Sequence, residues 1–134
     1  MNSTWKPEYE NGIAEMDAQH RQLAEKLDLL EDALGQPRSR QDIALLLEGL
    51  ISASEAHFRD EEALMSRHHC ADFDQHQKEH LDLIQRSLAF KATFDSGASD
   101  LTVAVIRFLR GWLLNHIVGS DRKSSRLIRS NPAA

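Results

Sequence analysis

Two pairs of chemically active side chains stand four residues apart, on either side of a short break in the sequence. His57 and Glu61 form the first pair, and His76 and His80 form the second. Because four residues make about one turn of an α-helix, the two members of each pair share a helix face. Two neighbouring antiparallel helices would therefore turn three imidazoles and a carboxylate towards one small volume. This arrangement predicts a metal site that needs further ligands.

The remaining ligands must be histidine, aspartate or glutamate, because Cys70 is the only cysteine and no thiolate cluster can form. The chain has 134 residues and a hydrophobic content of 41%, enough for the core of one domain. Its net charge of -5 argues against nucleic-acid binding, which usually needs a basic surface. No segment has the ~20 apolar residues of a membrane span, and the N-terminus lacks the apolar region of a signal peptide. We expect a soluble, cytoplasmic protein that binds neither nucleic acid nor membrane.

Four segments of the chain repeat apolar residues at alternating spacings of three and four, the pattern of an amphipathic helix. The first follows Asp17, which we interpret as an N-cap, and the second runs from about residue 39 to about 66 with a capping-box pattern at Ser39. A break at residues 68–71 precedes the third, which begins with a similar pattern at Asp72. Similar helices joined by short loops predict an all-α protein, an antiparallel up-down-up-down four-helix bundle.

The two ends of the chain differ from the four periodic segments. Residues 1–15 contain Pro7 and Gly12, and we expect an extended N-terminal arm there rather than a helix. Residues 122–134 contain four basic residues and no acidic one, which we interpret as a basic C-terminal tail. The whole chain, residues 1–134, is expected to form a single domain.

Each of the four helical seams contains histidine, so five imidazoles face the predicted core. His20 lies in the first seam and His116 in the fourth. A buried ring nitrogen needs a partner, and a metal can supply one for all five. Asp121 follows His116 by five residues, which in a straight helix places it on another face. It joins the set only if the helix loosens or ends near Gly119; otherwise it is a surface residue beside Arg122.

These residues give the chain a resemblance to the hemerythrin family, close in length and pattern to its single-domain bacterial members, the bacteriohemerythrins. The resemblance covers residues 5 to about 123 and lies in the segments MDAQH, HFRDEEALM, HQKEH and WLLNHIVGSD. It implies a single hemerythrin-like domain with two iron ions, Fe2+ or Fe3+, joined by a bridging oxo or hydroxo group. The resemblance implies that one iron is bound by His76, His80 and His116. It implies that the other is bound by His20 and His57, and that the carboxylates of Glu61 and Asp121 bridge the two irons.

The ligand count leaves the two irons unequal, because the first has a full coordination shell and the second has one open position. A small ligand can bind at an open position of a redox-active metal, and five histidines suit iron better than calcium or magnesium, although zinc fits the ligand types too. The resemblance implies an apolar O2 pocket around that position. Leu83, one turn beyond His80, is expected on the opposite, saturated side. The expected pocket residues are Leu23, Phe58, Leu113 and Ile117.

The function that this pattern predicts is reversible dioxygen binding for storage, transport or delivery, without catalytic turnover. Dioxygen would bind at the iron held by His20 and His57. One alternative is a di-iron oxidase or peroxidase, for which more carboxylate ligands would be expected. The other is an O2 or redox sensor, which in 134 residues has little room for an output domain and would act through a separate, unknown protein partner. No metal role is expected for the loop residues His68, His69 and Cys70.

Overall fold

The computed structural model of the chain describes residues 4–98, 100–101 and 103–131, and these residues contain helices and no strand. The all-α prediction is therefore confirmed, and four long helices form the predicted bundle. Each helix packs against the next along the chain, and the fourth also packs against the first. Within the described ranges, no helix has both the length and the apolar content to cross a bilayer. The helices are α1 Ala14–Leu34, α2 Arg40–Arg67, α3 Phe73–Asp95, α4 Val103–His116 and α5 Arg122–Ser130.

The start of α2 follows the sequence prediction, whereas the start of α1 does not. The Ser39 hydroxyl accepts a hydrogen bond from the Asp42 backbone N–H at 3.1 Å, as in a capping box. The prediction of Asp17 as an N-cap is wrong, because α1 begins at Ala14 and Asp17 lies in its first turn. The Asp17 carboxylate instead accepts the backbone N–H groups of Asn11 and Gly12, at 2.7 and 3.1 Å. It therefore ties the preceding segment to the helix.

The break between α2 and α3 lies where the sequence predicts it, but its capping differs. Asp72 precedes α3 without forming a side-chain cap, so the second capping-box prediction is wrong. Its carboxylate accepts a hydrogen bond from the Ser124 hydroxyl at 2.7 Å. The side chain is therefore engaged by a distant segment, which local sequence spacing does not reveal.

The described parts of the predicted N-terminal arm and C-terminal tail contain helical structure. The predicted arm contains a 3₁₀ turn, Pro7–Tyr9, and its residues 14 and 15 already belong to α1, while residues 1–3 lie outside the described part. The predicted basic tail forms α5, and residues 132–134 lie outside the described part. Helix α5 buries Ile128 against Met65 and Cys70. This contact explains why a segment with four basic residues packs on the bundle as a helix.

The core of the bundle is built from the predicted seams, and it continues from one turn beyond the histidines. On α4 the buried apolar residues are Ile106, Leu109 and Leu113, whereas Phe108 is 37% exposed. Leu109 therefore belongs to the buried seam of α4, and Phe108 does not. Because the apolar seam and the histidines lie on the same faces of the same helices, packing of the seam sets the positions of the imidazoles.

Candidate metal centre

All seven predicted ligands are buried and lie at one level of the bundle. Every helix of the bundle contributes, and the most exposed of the seven, His116, is only 6% exposed. Their ligand atoms form two overlapping groups, each with all its atoms within 4.8 Å of one another. Both groups contain Glu61 and Asp121. The larger group adds His76, His80 and His116, and the smaller adds His20 and His57.

Glu61 divides its two carboxylate oxygens between the two groups. Oε1 lies 2.6 Å from His76 Nε2 and 3.0 Å from His80 Nε2. Oε2 lies 3.5 Å from His20 Nε2 and 3.4 Å from His57 Nε2. One carboxylate thus faces four imidazoles on two sides, as a bridging ligand between two cations would.

Asp121 divides its oxygens in the same way from the opposite side. Oδ1 lies 2.7 Å from His76 Nε2 and 3.0 Å from His116 Nε2, and Oδ2 lies 3.1 Å from His20 Nε2. The spacing of five residues from His116 is accommodated by a π-helical turn, Ile117–Asp121, which confirms that the helix loosens. A Cβ at Gly119 would meet no atom within 4 Å, so the turn does not need glycine for space.

Unpaired polar atoms at the centre of the cluster test whether cations fit there. Both ring nitrogens of His20, Nε2 of His57 and both carboxylate oxygens of Asp121 are buried without a hydrogen-bond partner. Buried polar atoms normally have such a partner, and leaving one unsatisfied costs about 1–3 kcal/mol. Here His20 Nε2 and Asp121 Oδ2 lie 3.1 Å apart without forming a hydrogen bond, and both residues belong to the smaller ligand group. Imidazole and carboxylate donors suit iron, so the residues present fit a pair of iron ions.

The outer ring nitrogens of four of the five histidines have partners, and that of His20 has none among the described residues. Nδ1 of His80 lies 2.8 Å from Glu62 Oε2, and Nδ1 of His116 lies 2.9 Å from Glu79 Oε2. Since an ionised carboxylate can only accept, Nδ1 must carry the proton in both rings. Nε2 is then free of a proton and faces the centre, which is the form that binds a metal.

Two further histidines are held by neutral side chains. The carbonyl oxygen of Gln19 lies 2.6 Å from Nδ1 of His57. The Ser124 hydroxyl lies 2.9 Å from Nδ1 of His76. Because the hydroxyl donates its one proton to Asp72, it accepts from this ring.

Sequence reasoning missed these outer partners, although they follow a pattern. Gln19, Glu62 and Glu79 each adjoin a candidate ligand of their own helix and contact the histidine of the next helix. An adjacent residue in a helix is rotated by about 100°, so its side chain points towards the neighbouring helix. A polar residue beside each ligand was therefore the available signal. Ser124 gave no such signal, because the π turn sets its direction.

The cluster changes the proton affinities of its own members. Burial alone would lower the pKa of His20, but the nearby carboxylates of Asp121 and Glu61 raise it to about 9. Burial opposes the same effect in His76, whose pKa these two carboxylates raise to about 10. For Glu61, burial would raise the pKa, but the surrounding histidines hold it well below its usual range. In the metal-free cluster, His20 and His76 therefore favour the imidazolium form beside the ionised carboxylate of Glu61.

We expect iron loading of the metal-free protein to release protons. At pH 7 the rings of His20 and His76 are protonated, because their pKa values of about 9 and about 10 lie above that pH. Iron must displace those protons, so its apparent affinity should rise with pH until the pH passes these values. Anaerobic calorimetric titration with Fe2+ in buffers of different ionisation enthalpy measures the release. A heat independent of the buffer would contradict this prediction.

The four residues expected to form the O2 pocket are all buried, but they divide between different surroundings. Leu23 and Leu113 line a small cavity of about 20 Å³ that begins one turn from the histidines. Its wall is mainly apolar and also contains Ser54 and Ser87. The Phe58 ring instead stacks on His80, with centroids 3.9 Å apart, and Ile117 begins the π turn. Leu83 lines the same cavity as Leu113. The expectation that Leu83 lies on the opposite, saturated side is therefore wrong, because Leu83 of α3 and Leu113 of α4 face the same cavity.

The three reactive residues of the loop before α3 lie outside both ligand groups. His68 contacts the backbone oxygen of Asn131 through its ring nitrogen. Cys70 is buried, and burial together with Asp72 raises the pKa of its thiol. A raised pKa disfavours the reactive thiolate, so packing is the role that the structure gives this cysteine.

The chain is similar to known proteins in both sequence and structure. The family model described as hemerythrin HHE cation binding domain matches residues 11–124. A bacteriohemerythrin of Methylococcus capsulatus is 30% identical over 120 residues, covering 89% of this chain and 91% of the relative. A myohemerythrin of Theromyzon tessulatum is 29% identical over 119 residues, covering 89% and 88%. A crystal structure of wild-type hemerythrin superposes with a TM-score of 0.88 at 27% identity, covering 96% of this chain and 97% of the other.

Proposed function

The chain belongs to the hemerythrin family, and from this premise we propose that it binds dioxygen reversibly at a non-haem di-iron centre. One observation carries the proposal: two ligand groups share two carboxylates but differ by one histidine. The group with fewer histidines leaves its metal with a free coordination position. The geometry thus supports a small-molecule binding site on one side of a metal pair, and dioxygen is the proposed ligand.

We propose the following roles for the ligands. His76, His80 and His116 would hold one iron, and His20 and His57 the other. Glu61 and Asp121 would bridge the irons together with an oxo or hydroxo group, since each turns one oxygen to each group. When bound, the iron pair would supply the electrons that dioxygen accepts and take them back on release.

The protein's own residues have three tasks in this function. The outer partners fix four of the five rings so that Nε2 faces the centre, as Glu62 does for His80 and Gln19 for His57. The bridging carboxylates hold the two halves of the site at a set separation. The small, mainly apolar cavity beside Leu23 and Leu113 would limit the access of bulk water to the centre. Exclusion of water and protons would slow the irreversible loss of bound dioxygen.

Substitution of Leu113 by tyrosine should shorten the lifetime of the oxygenated protein by about tenfold, a change of about 1.4 kcal/mol in the barrier. Leu113 is 4% exposed and lines the small cavity, so a hydroxyl there would bring a polar group and a route for water. The decay of the oxygenated spectrum in air measures the lifetime.

A matched control is Leu30→Tyr, two turns beyond Leu23 in the same seam and not part of the cavity wall. This change should destabilise the fold by overpacking, which typically costs 1–3 kcal/mol, and leave the lifetime nearly unchanged. Equal effects of both substitutions would mean that the cavity does not protect the centre.

We also propose that the protein is a carrier rather than an enzyme. Support comes from the ligand set, in which histidines outnumber carboxylates, and from the apolar wall around Leu23 and Leu113. Di-iron enzymes of ferritin-like bundles use sets richer in carboxylates. Repeated consumption of a reductant in the presence of O2 would favour an oxidase or peroxidase instead.

Three further parts of the proposal rest on the sequence. The net charge of -5 favours a protein without a nucleic-acid partner. A cytoplasmic location and a single domain spanning residues 1–134 remain predictions. A protein partner, such as a sensor would need, can be sought by its effect on O2 release.

The proposed function is tested by metal analysis combined with anaerobic oxygen titration. The protein should contain two irons per chain, and the reduced protein should take up one O2 per iron pair. Zinc at one site per chain, or an iron protein that takes up no O2, would overturn the proposal.

A further inference from the structure

The outer partners of the histidines differ in charge between the two ligand groups. In the three-histidine group, His80 and His116 donate directly to the carboxylates of Glu62 and Glu79, at 2.8 and 2.9 Å. The third ring, His76, donates to the Ser124 hydroxyl, which in turn donates to a carboxylate. Every ring of this group is therefore linked to a negative charge directly or through one hydroxyl.

The two-histidine group lacks such direct contacts. His57 donates to the neutral amide of Gln19 at 2.6 Å, and within the described residues no atom accepts a hydrogen bond from Nδ1 of His20. The orientation of the Gln19 amide is set by Asp60, which accepts from its Nε2 at 3.0 Å. Asp60 is exposed and one link further away, so solvent screens its charge.

The charge of an outer partner affects the metal through the ring. A carboxylate that accepts the Nδ1 proton makes the imidazole a stronger electron donor, whereas an amide does so less. A metal with stronger donors is stabilised in its higher oxidation state. The outer partners therefore stabilise the higher oxidation state more strongly at the three-histidine position than at the two-histidine position.

We propose that Gln19 is a positioning residue that raises the reduction potential of the iron held by His20 and His57. Glu62 and Glu79 have the opposite effect on the other iron. The inference rests on the proposed di-iron function and assigns the redox asymmetry of the pair to these outer side chains. A neutral partner at His57 keeps the open iron resistant to losing an electron, which protects the reduced state that binds dioxygen.

The test exchanges glutamine and glutamate in opposite directions at the two positions. Gln19→Glu should lower the midpoint potential of the iron pair, and Glu79→Gln should raise it. The potentials are measured by optical titration of the reduced protein with ferricyanide. Each Fe2+ gives one electron to ferricyanide, which becomes ferrocyanide, and no bond is broken. Loss of a hydrogen bond alone would move both variants the same way.

A double variant separates the position of the charge from its amount. Gln19→Glu combined with Asp60→Asn keeps the net charge and moves the carboxylate from the outer residue to the ring's partner. It should lower the potential as Gln19→Glu does, and Asp60→Asn leaves an amide that can still donate to position 19. If the double variant matches the wild-type potential, the effect is one of total charge and the inference fails.

A second measurement avoids iron altogether. In the zinc-substituted protein, the proton resonance of His57 Nδ1–H should move downfield in Gln19→Glu, because a carboxylate accepts a stronger hydrogen bond than an amide. The resonance of His80 should not move. Failure of the wild-type protein to hold two irons would overturn the proposed function. An intact iron pair whose potentials do not move in opposite directions would overturn only this inference.

Discussion

Replacement of Glu61 by alanine should abolish the iron pair. This carboxylate lies within 3.5 Å of four of the five candidate histidine ligands and supplies one oxygen to each group. Its loss removes a ligand from both irons at once and leaves their mutual position undefined. Metal occupancy should fall well below one iron per chain, and the optical bands of a bridged pair should disappear.

One control and one milder substitution accompany this variant. Glu48→Ala removes an exposed glutamate from the same helix and should retain full occupancy. Glu61→Gln keeps the size of the side chain but leaves only one acceptor oxygen, so it should also lower occupancy. A Glu61→Ala protein that retains a spectroscopically intact pair would rule out the bridging role.

Replacement of His20 by alanine should abolish oxygenation while leaving part of the iron in place. His20 and His57 are the only imidazoles of the smaller ligand group, so the change removes half of that group's nitrogen ligands. The larger group keeps all three of its histidines. We therefore expect about one iron per chain by metal analysis and no oxygenated spectrum when the reduced variant meets air.

The matched control is His68→Ala, which removes a histidine that lies outside both groups. It should leave iron content and oxygenation unchanged. An unaltered oxygenated spectrum in His20→Ala would place the O2-binding iron elsewhere.

Much of the bundle was readable from the sequence because one physical pattern, the apolar seam, determines it. The seams also include His20, His57, His76 and His80, so the same periodicity that predicts the helices brings these rings together. The position of Asp121 does not follow from this periodicity, because a π turn brings its side chain to the level of His116. The sequence indicated a loosening there, but not its form.

The two capping errors have a common physical reason, which is competition by other hydrogen-bond donors. Asp17 and Asp72 have the residue type and spacing of helix caps, yet each carboxylate accepts hydrogen bonds from elsewhere. Leu83 was expected on the saturated side because it follows His80 on α3, but it lines the same cavity as Leu113 of α4. Residue spacing within one helix does not determine how neighbouring helices are rotated.

The outer partners of the ligands show the same limit. Gln19 of α1 contacts His57 of α2, and Glu79 of α3 contacts His116 of α4. Their roles therefore depend on the register between neighbouring helices. That register follows from packing of the whole bundle. The distinction between a neutral and a charged partner, on which the redox asymmetry rests, becomes visible only once the helices are placed together.

The most direct test of reversible dioxygen binding is stopped-flow optical spectroscopy of the reduced protein mixed with O2, followed by removal of the gas under argon. A carrier should develop a charge-transfer band of the oxygenated iron pair that persists in air, disappears under argon and returns over repeated cycles. The protein should lose little of the band in each cycle, because the buried centre and its apolar cavity exclude water. Rapid decay of the band with release of hydrogen peroxide, or continued consumption of a reductant, would contradict the carrier function.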